Sequence, residues 1–212
     1  AASTLPLTAG SGNIDFDGAV GSATNGRLGA VTINSANNLT ADDAFNAASL
    51  RQLAGSGTST FSGAISTTAN AGIDLDGTNF DFANTVSLTL GNLDLDADST
   101  VRFNGLVTTS DANNGLVTIT NGGALTLTAT GDMNLAGAFL QDGSGAVLTA
   151  ADITTTNDNV TFSAATTLTG AVAINTGSGA GTVTFKNTLD SAANAASTLT
   201  LTAGSGNIDF DG

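Results

Sequence analysis

The feature that most constrains this chain is a short alternation of apolar and polar residues that breaks at Gly or another small residue and then starts again. It reads IDFDGAV at 14–20, VTINSA at 31–36, TFSGAI at 60–65, IDLDG at 73–77, LDLDAD at 93–98 and VRFNGLV at 101–107. It continues as VTIT at 117–120, LTLTAT at 125–130, MNLAGAF at 133–139, VTFSA at 160–164, LTGAVAI at 168–174 and VTFKNTL at 183–189, and ends as LTLTA at 199–203 and IDFDG at 208–212. A period of two puts one set of side chains on each face of a strand. The apolar set is Val, Ile, Leu and Phe. The polar set is Thr, Asp, Asn and Ser, and the branched carbon of Thr suits a pleated surface.

Between these runs lie AGSG (9–12 and 54–57), GSATNG (21–26), ANAG (69–72), SDANNG (110–115), DGSG (142–145) and TGSGAG (176–181). Gly and Asn tolerate the positive φ of tight turns. Strand and turn alternate every 8–12 residues or so, a spacing that suits a sandwich, a barrel or a solenoid.

Repetition selects among the three. AGSG-x-x-x-F-x-G-A-[VI] fits both 9–20 and 54–65. A longer repeat encloses these short ones: residues 1–18 and 195–212 carry the same phrase, with Pro6 in one copy and Thr200 in the other. Stacked coils of a solenoid place like residues on like. The expected fold is therefore all-β, a right-handed parallel β-solenoid of short strands and Gly/Asn/Ser turns. Residues 1–194 form one long repeat unit and 195–212 begin the next copy. Phe16, Phe61, Phe103, Phe162, Phe185 and Phe210 are expected to point inward as stacks, with Thr and Asn ladders outside. At about 20 residues per coil the unit holds roughly ten coils.

One segment is ambiguous. TADDAFNAASLRQL (40–53) has N-cap candidates in Thr40 and Asp42 and apolar Phe45, Ala48 and Leu53. A short helix and a strand-or-loop coil both remain open, the latter favoured.

Composition narrows function. The chain has 212 residues, 27 of them Gly, with 41% hydrophobic residues, so there is material for a core. Its charge is −14: 18 acidic residues, all Asp, against Arg27, Arg51, Arg102 and Lys186. Such a chain cannot neutralise a run of phosphates, so nucleic acid is not an expected partner. No stretch of 18 apolar residues is present to span a membrane. His, Cys, Trp and Tyr are absent, which removes histidine-based triads, thiol nucleophiles, disulfides and thiolate metal sites. Paired carboxylates alone could serve glycoside hydrolysis, but a groove for acidic polysaccharide needs more cations than four, and Phe is the sole aromatic for sugar stacking. The chain is read as non-enzymatic, with no catalytic residues and no cofactor.

Three surface motifs bear on binding. Asp15/Asp17, Asp74/Asp76 and Asp94/Asp96, like Asp209/Asp211, lie two residues apart and so share a strand face. They are weak candidates for Ca²⁺, which takes six to eight oxygens. A solvated acidic face is the plainer reading, because GSGNID lacks the tandem spacing of calcium-binding nonapeptides. The pairs Thr118/Thr120, Thr126/Thr128, Thr182/Thr184 and Thr200/Thr202 could form flat Thr arrays of the ice-binding kind, or simply be good strand residues facing water. Asn38-Leu39-Thr40 and Asn159-Val160-Thr161 match a glycosylation sequon in a chain where chance matches are expected.

The phrases TLTLTAGSGNIDFDG and AASLRQLAGSGTSTFSGAI resemble repeats of very large bacterial surface and secreted proteins, the filamentous-haemagglutinin-like β-helical adhesins. The resemblance covers essentially the whole chain and rests on a style of repeat. It implies a right-handed β-helix at the cell surface or outside the cell, acting as a structural filament or adhesin stalk. The implied partners are further copies end to end, covalent or assembled. A glycan or host protein is the ligand if the rod is instead a binding module.

Overall fold

The computed structural model describes residues 3–24, 26–193 and 197–212; the first two residues of each copy of the repeated phrase lie outside them. Among the described residues there are 26 strands and no helix. All the strand pairings are parallel, and each joins one turn of the chain to the next along a rod axis. The fold is a β-solenoid.

Its cross-section has three faces, visited in a fixed order. On the first face Leu5 pairs with Val31, and the column continues through Leu50, Ile73, Leu93, Val117, Phe139, Val160 and Val183 to Ile208. The second face runs from Ile14 through Leu39, Ser59, Phe80 and Val101 to Leu189. The third runs from Val20 through Phe45, Ile65 and Val86 to Leu201. Nine steps carry Leu5 to Ile208, against the ten coils expected for the unit. The reason is that the coils are on average longer than expected, and their length is not constant. The step from Val31 to Leu50 is short, the step from Leu5 to Val31 is much longer, and most of the others exceed the expected length.

The alternation explains each strand. In Leu93–Ala97 the three apolar side chains are buried and both Asp exposed. Backbone bonds run along the axis, as from the Ile14 N–H to the Asn38 carbonyl at 2.9 Å and from the Val86 N–H to the Leu106 carbonyl at 2.9 Å. Every strand between the first and last turns thus satisfies its backbone against the turns above and below, which lets strands as short as Val101–Phe103 persist.

Several sequence phrases turn out to span a corner. VRFNGLV contains the strand Val101–Phe103 on the second face and the start of Val107–Thr109 on the third. Phe103 and Val107, four residues apart, both point inward. The same spacing turns the corner at Phe61/Ile65 and Phe82/Val86. It also serves the other two corners: Phe185/Leu189 leads from the first face to the second, and Leu135/Phe139 from the third to the first.

The ambiguous segment is strand. Leu39–Ala41 and Phe45–Gln52 occupy it, and no helix forms. Phe45 and Leu50 are fully buried while Leu53 is exposed, so its apolar residues follow the solenoid wall and not a helical stripe. Phe45–Gln52 continues round the edge from the third face onto the first without a turn. Those two faces therefore form one 17-stranded sheet, and the second face is a separate sheet of nine strands.

The Phe side chains form two ladders. Phe61, Phe82 and Phe103 stack on the second face, with centroids 5.4 and 4.7 Å apart and planes within 8°. Phe162, Phe185 and Phe210 stack on the first, at 5.1 and 5.5 Å. Phe16 reaches the first group through edge contacts with Phe45, which in turn meets Phe61 edge-on at 6.3 Å. The alternation places Phe inward, but only the coil lengths decide which of them share a column.

Buried amides fill the corner between the first and second faces. Gln141 Nε2 donates to Asn121 Oδ1 and to the Gly143 carbonyl, each at 2.8 Å, and its Oε1 accepts from the Ser163 and Ala164 N–H groups at 3.0 Å. One level away, Asn121 Nδ2 donates to the Gly123 and Gly145 carbonyls. Gln52 plays the same part lower down, accepting from Ser59 Oγ and donating to the Asp76 carbonyl. These side chains serve turns whose own carbonyls and amides have left the ladder.

Candidate functional site

The strongest concentration of chemistry lies on the outer side of the first face. Asp74 is in register with Asp94, and Asp76 with Asp96. The two phrases IDLDG and LDLDAD, one coil apart, thus become a two-by-two grid of carboxylates. Below it Arg51 sits in register with Asp74, and its Nε lies 2.9 Å from the Asp74 carboxylate. Among the described residues this is the one ion pair. Both partners are substantially exposed, so the pair adds little to stability. Above the grid the column turns neutral, with Thr118 beside Asp94 and Thr120 beside Asp96.

The grid perturbs its own protonation. Partial burial pushes the Asp76 carboxyl up from its ordinary range, repulsion from Asp74 and Asp96 adds to it, and Arg51 opposes. Asp94 is pushed up in the same way, by partial burial and then by Asp74 and Asp96. Next to the grid a shallow groove of about 480 Å³ is lined by Asp76, Asp96 and Asp98 together with Gly10, Ser35 and Gly55. Asp98, which is in none of the Asp pairs read from the sequence, joins Asp76 and Asp96 in this lining.

The remaining candidate pair lies elsewhere. Asp15 projects from the second face, opposite Thr40, and Asp17 follows it at the corner; both are exposed. The register gives Asp15 a Thr neighbour and no second carboxylate. Across the described residues no group of three or more acidic side chains is arranged to hold a metal ion. All six candidate carboxylates lie on the outer side of the solenoid wall.

The Thr pairs are dispersed. Thr118 lies between Asp94 and Leu140, Thr126 between Arg102 and Leu148, and Thr184 between Thr161 and Asp209. The uncharged ladder is on the third face instead, where Asn46, Ser66, Ser87, Thr108, Asn134, Thr154 and Asn175 follow one another in register. Both sequon asparagines are engaged between turns: Asn38 Oδ1 accepts from the Thr58 N–H at 2.9 Å and Asn159 Oδ1 from the Thr182 N–H at 2.8 Å.

Arg27 shows what the few cations do. Its guanidinium donates to the carbonyls of Ala47 and Ser66 and to Ser66 Oγ, so it ties together the two turns that follow its own. Asp111 is also structural. It accepts from the Asn114 side chain and from the N–H groups of Asn113 and Gly91, and these bonds hold its carboxyl below the ordinary range.

No family model matches the chain, and no curated protein or solved structure matches it. Among the described residues no helix is long and apolar enough to cross a membrane.

Proposed function

We propose that this chain is a structural segment of an extracellular, right-handed β-solenoid filament or adhesin stalk, and that it carries out no catalysis. The observation that carries this reading is continuity. The first-face ladder passes from Leu5 to Ile208 with every turn paired to the next, and most connections between strands are short. Stiffness then follows from the fold: axial hydrogen bonds, ring stacks and buried amides all join successive turns. The acidic outer surface keeps rods apart sideways and soluble.

Further copies of the unit, joined end to end, are the partners this reading requires. Phe210 stacks on Phe185 as Phe185 stacks on Phe162, a ladder that a further turn of the same kind would extend. Unpaired strand edges recruit strands, and a head-to-tail contact that never closes on itself makes a filament. Electron microscopy tests the reading. The expected image is a continuous thin rod that advances about 4.8 Å per turn, or roughly 40 Å per repeat unit. Isolated globular particles would overturn it.

A second reading, a surface adhesion module that grips a glycan or host protein, rests on the uncharged Asn/Ser/Thr ladder of the third face. Binding to an immobilised glycan panel that is lost when Thr108 and Asn134 are both replaced by Asp would favour it over a plain stalk.

A further inference from the structure

The sequence repeat and the structural repeat are out of step. The phrase LTAGSGNIDFDG occurs at 7–18 and at 201–212. Both copies have the same local structure. Leu5–Thr8 and Leu199–Thr202 are strands, as are Ile14–Phe16 and Ile208–Phe210. The turn between them is closed in both by one bond, from the Gly12 N–H to the Ala9 carbonyl at 2.9 Å and from the Gly206 N–H to the Ala203 carbonyl at 2.7 Å.

Their places on the prism differ. In the first copy Leu5–Thr8 lies on the first face, against Val31, and Ile14–Phe16 on the second, against Leu39–Ala41. In the second copy Leu199–Thr202 lies on the third face, against Val172–Asn175, and Ile208–Phe210 on the first, against Val183–Phe185. From Leu5 the chain makes eight full turns to Val183, then passes Leu189 on the second face and reaches Leu199 on the third. The offset between the copies is therefore eight turns and two faces, one face short of nine turns.

Nothing in the packing forbids this. The four-residue corner serves all three edges of the prism, as Phe103/Val107, Phe185/Leu189 and Leu135/Phe139 show. The GSG turn already serves two edges: residues 54–57 lead from the first face to the second, and 176–181 from the third to the first. Each face asks for an inward apolar pair and an outward polar residue, and the phrase supplies these wherever it lands.

We propose that in a covalent array of this unit each successive copy is turned by one face about the rod axis. The carboxylate grid of Asp74, Asp76, Asp94 and Asp96 then appears on each of the three sides in turn, and returns to its starting side only after three units. Such a fibre has no permanently acidic side and no permanently neutral one. This rests on the tandem-fibre reading above and adds its geometry.

The 212-residue chain contains the joint, so it is the material for the test, and it has no native cysteine to interfere. In-register neighbours on parallel strands are about 4.8 Å apart, within the Cα range of a disulfide. The variant Thr184→Cys/Asp209→Cys joins two rungs of the first face. The variant Asp190→Cys/Asp209→Cys joins the rungs that would meet if the second copy kept the first copy's phase. A control, Asp15→Cys/Thr40→Cys, reports the first copy on the second face. After mild oxidation of folded monomer, with circular dichroism matching the parent, the first variant and the control are expected to form an intramolecular disulfide and the second to retain both thiols. Closure of Asp190→Cys/Asp209→Cys in place of Thr184→Cys/Asp209→Cys overturns the proposal. Closure of the control alone also overturns it, since Ile208–Phe210 would then lie on neither ladder. Globular particles in the microscope would defeat the fibre reading and leave the cysteine result standing.

Discussion

Asp94 stands directly beside Asp74 on the next turn of the first face, two carboxylates in register with no cation between them. Like charges opposite one another destabilise a sheet. The cost is tolerable because both side chains reach solvent and because Arg51 pairs with Asp74 from the other side.

This predicts an unusual acid response. Asp76 and Asp94 have carboxyls raised in the folded state, so the folded chain binds protons more readily than the unfolded one. Stability then rises as pH falls through these raised values towards the ordinary carboxylate value of 3.8, because the cost of partly burying the charges, and then their mutual repulsion, is relieved. Asp111 is shifted the other way, and its contribution is lost only below the ordinary carboxylate range. Melting temperature measured against pH is expected to pass through a maximum on the mildly acidic side. Asp94→Asn should raise stability at pH 7 by about 0.2–1 kcal/mol and flatten the rise. A melting temperature that only falls from pH 7 downward would refute the account. Excess EDTA at pH 7 is expected to leave the melt unchanged, and a drop would favour the grid as a cation site.

The buried amides are predicted to matter more than their number suggests. Gln141→Leu removes an acceptor shared by the Ser163 and Ala164 N–H groups and strands Asn121 Oδ1. The expected loss is about 2–3 kcal/mol, the usual scale for leaving buried polar groups unmet. Denaturant titration would measure it, and a change below about 0.5 kcal/mol would show that water replaces the amide without penalty.

Thr67 gives the opposite case. Its buried hydroxyl has no hydrogen-bond partner. Thr67→Val keeps the shape and removes the stranded group, so it should be neutral or stabilising by up to about 1 kcal/mol in the same titration. A clear loss would mean that the hydroxyl is used.

Phe82 sits between Phe61 and Phe103 with all three rings nearly parallel. Phe82→Ala is expected to cost about 3–5 kcal/mol. Each turn of a solenoid touches only its neighbours, so the damage should be local. Calorimetry should show a single transition splitting into two, and an unsplit, unshifted transition would contradict that expectation.

The two copies of the phrase offer an internal comparison. Gly10 and Gly204 both have positive φ, +62° and +53°. A Cβ on Gly10 meets nothing within 4 Å, whereas one on Gly204 falls 2.6 Å from the Ser178 carbonyl carbon. In the isolated 212-residue chain, Gly10→Ala should cost only the left-handed strain of about 1–2 kcal/mol. Gly204→Ala should cost clearly more, because backbone of the preceding turn must move. Equal losses on thermal melting would show that the turn at 203–206 does not pack on the turn before it.

Much of the fold was legible in the residues. IDLDG at 73–77 is the strand Ile73–Gly77, and VTFKNTL at 183–189 contains one strand, the corner and the start of the next. The outward direction of all six candidate Asp residues was legible too, because a period of two admits only two faces. Their gathering was not. Whether Asp74 meets Asp94 or stands alone like Asp15 depends on the length of the coil at that point, and coil length varies along the rod, as the unequal steps Leu5 to Val31 and Val31 to Leu50 show. The buried amides were missed for a related reason: Gln141 and Asn121 sit where the alternation calls for an inward residue, and only the unpaired corner groups beside them explain a polar one.

The repeated phrase divides the two kinds of information. By itself it determines strand, AGSG turn and strand, with Leu, Ile and Phe turned from the Asp residues, and it does so twice. That follows from interactions within a few bonds: alternation, positive φ at one glycine, one turn-closing hydrogen bond. Which face receives the phrase is decided by the tertiary structure alone. Each strand docks on whatever ladder the preceding turns present, and the summed lengths of those turns carry Asp15 to the second face and Asp209 to the first.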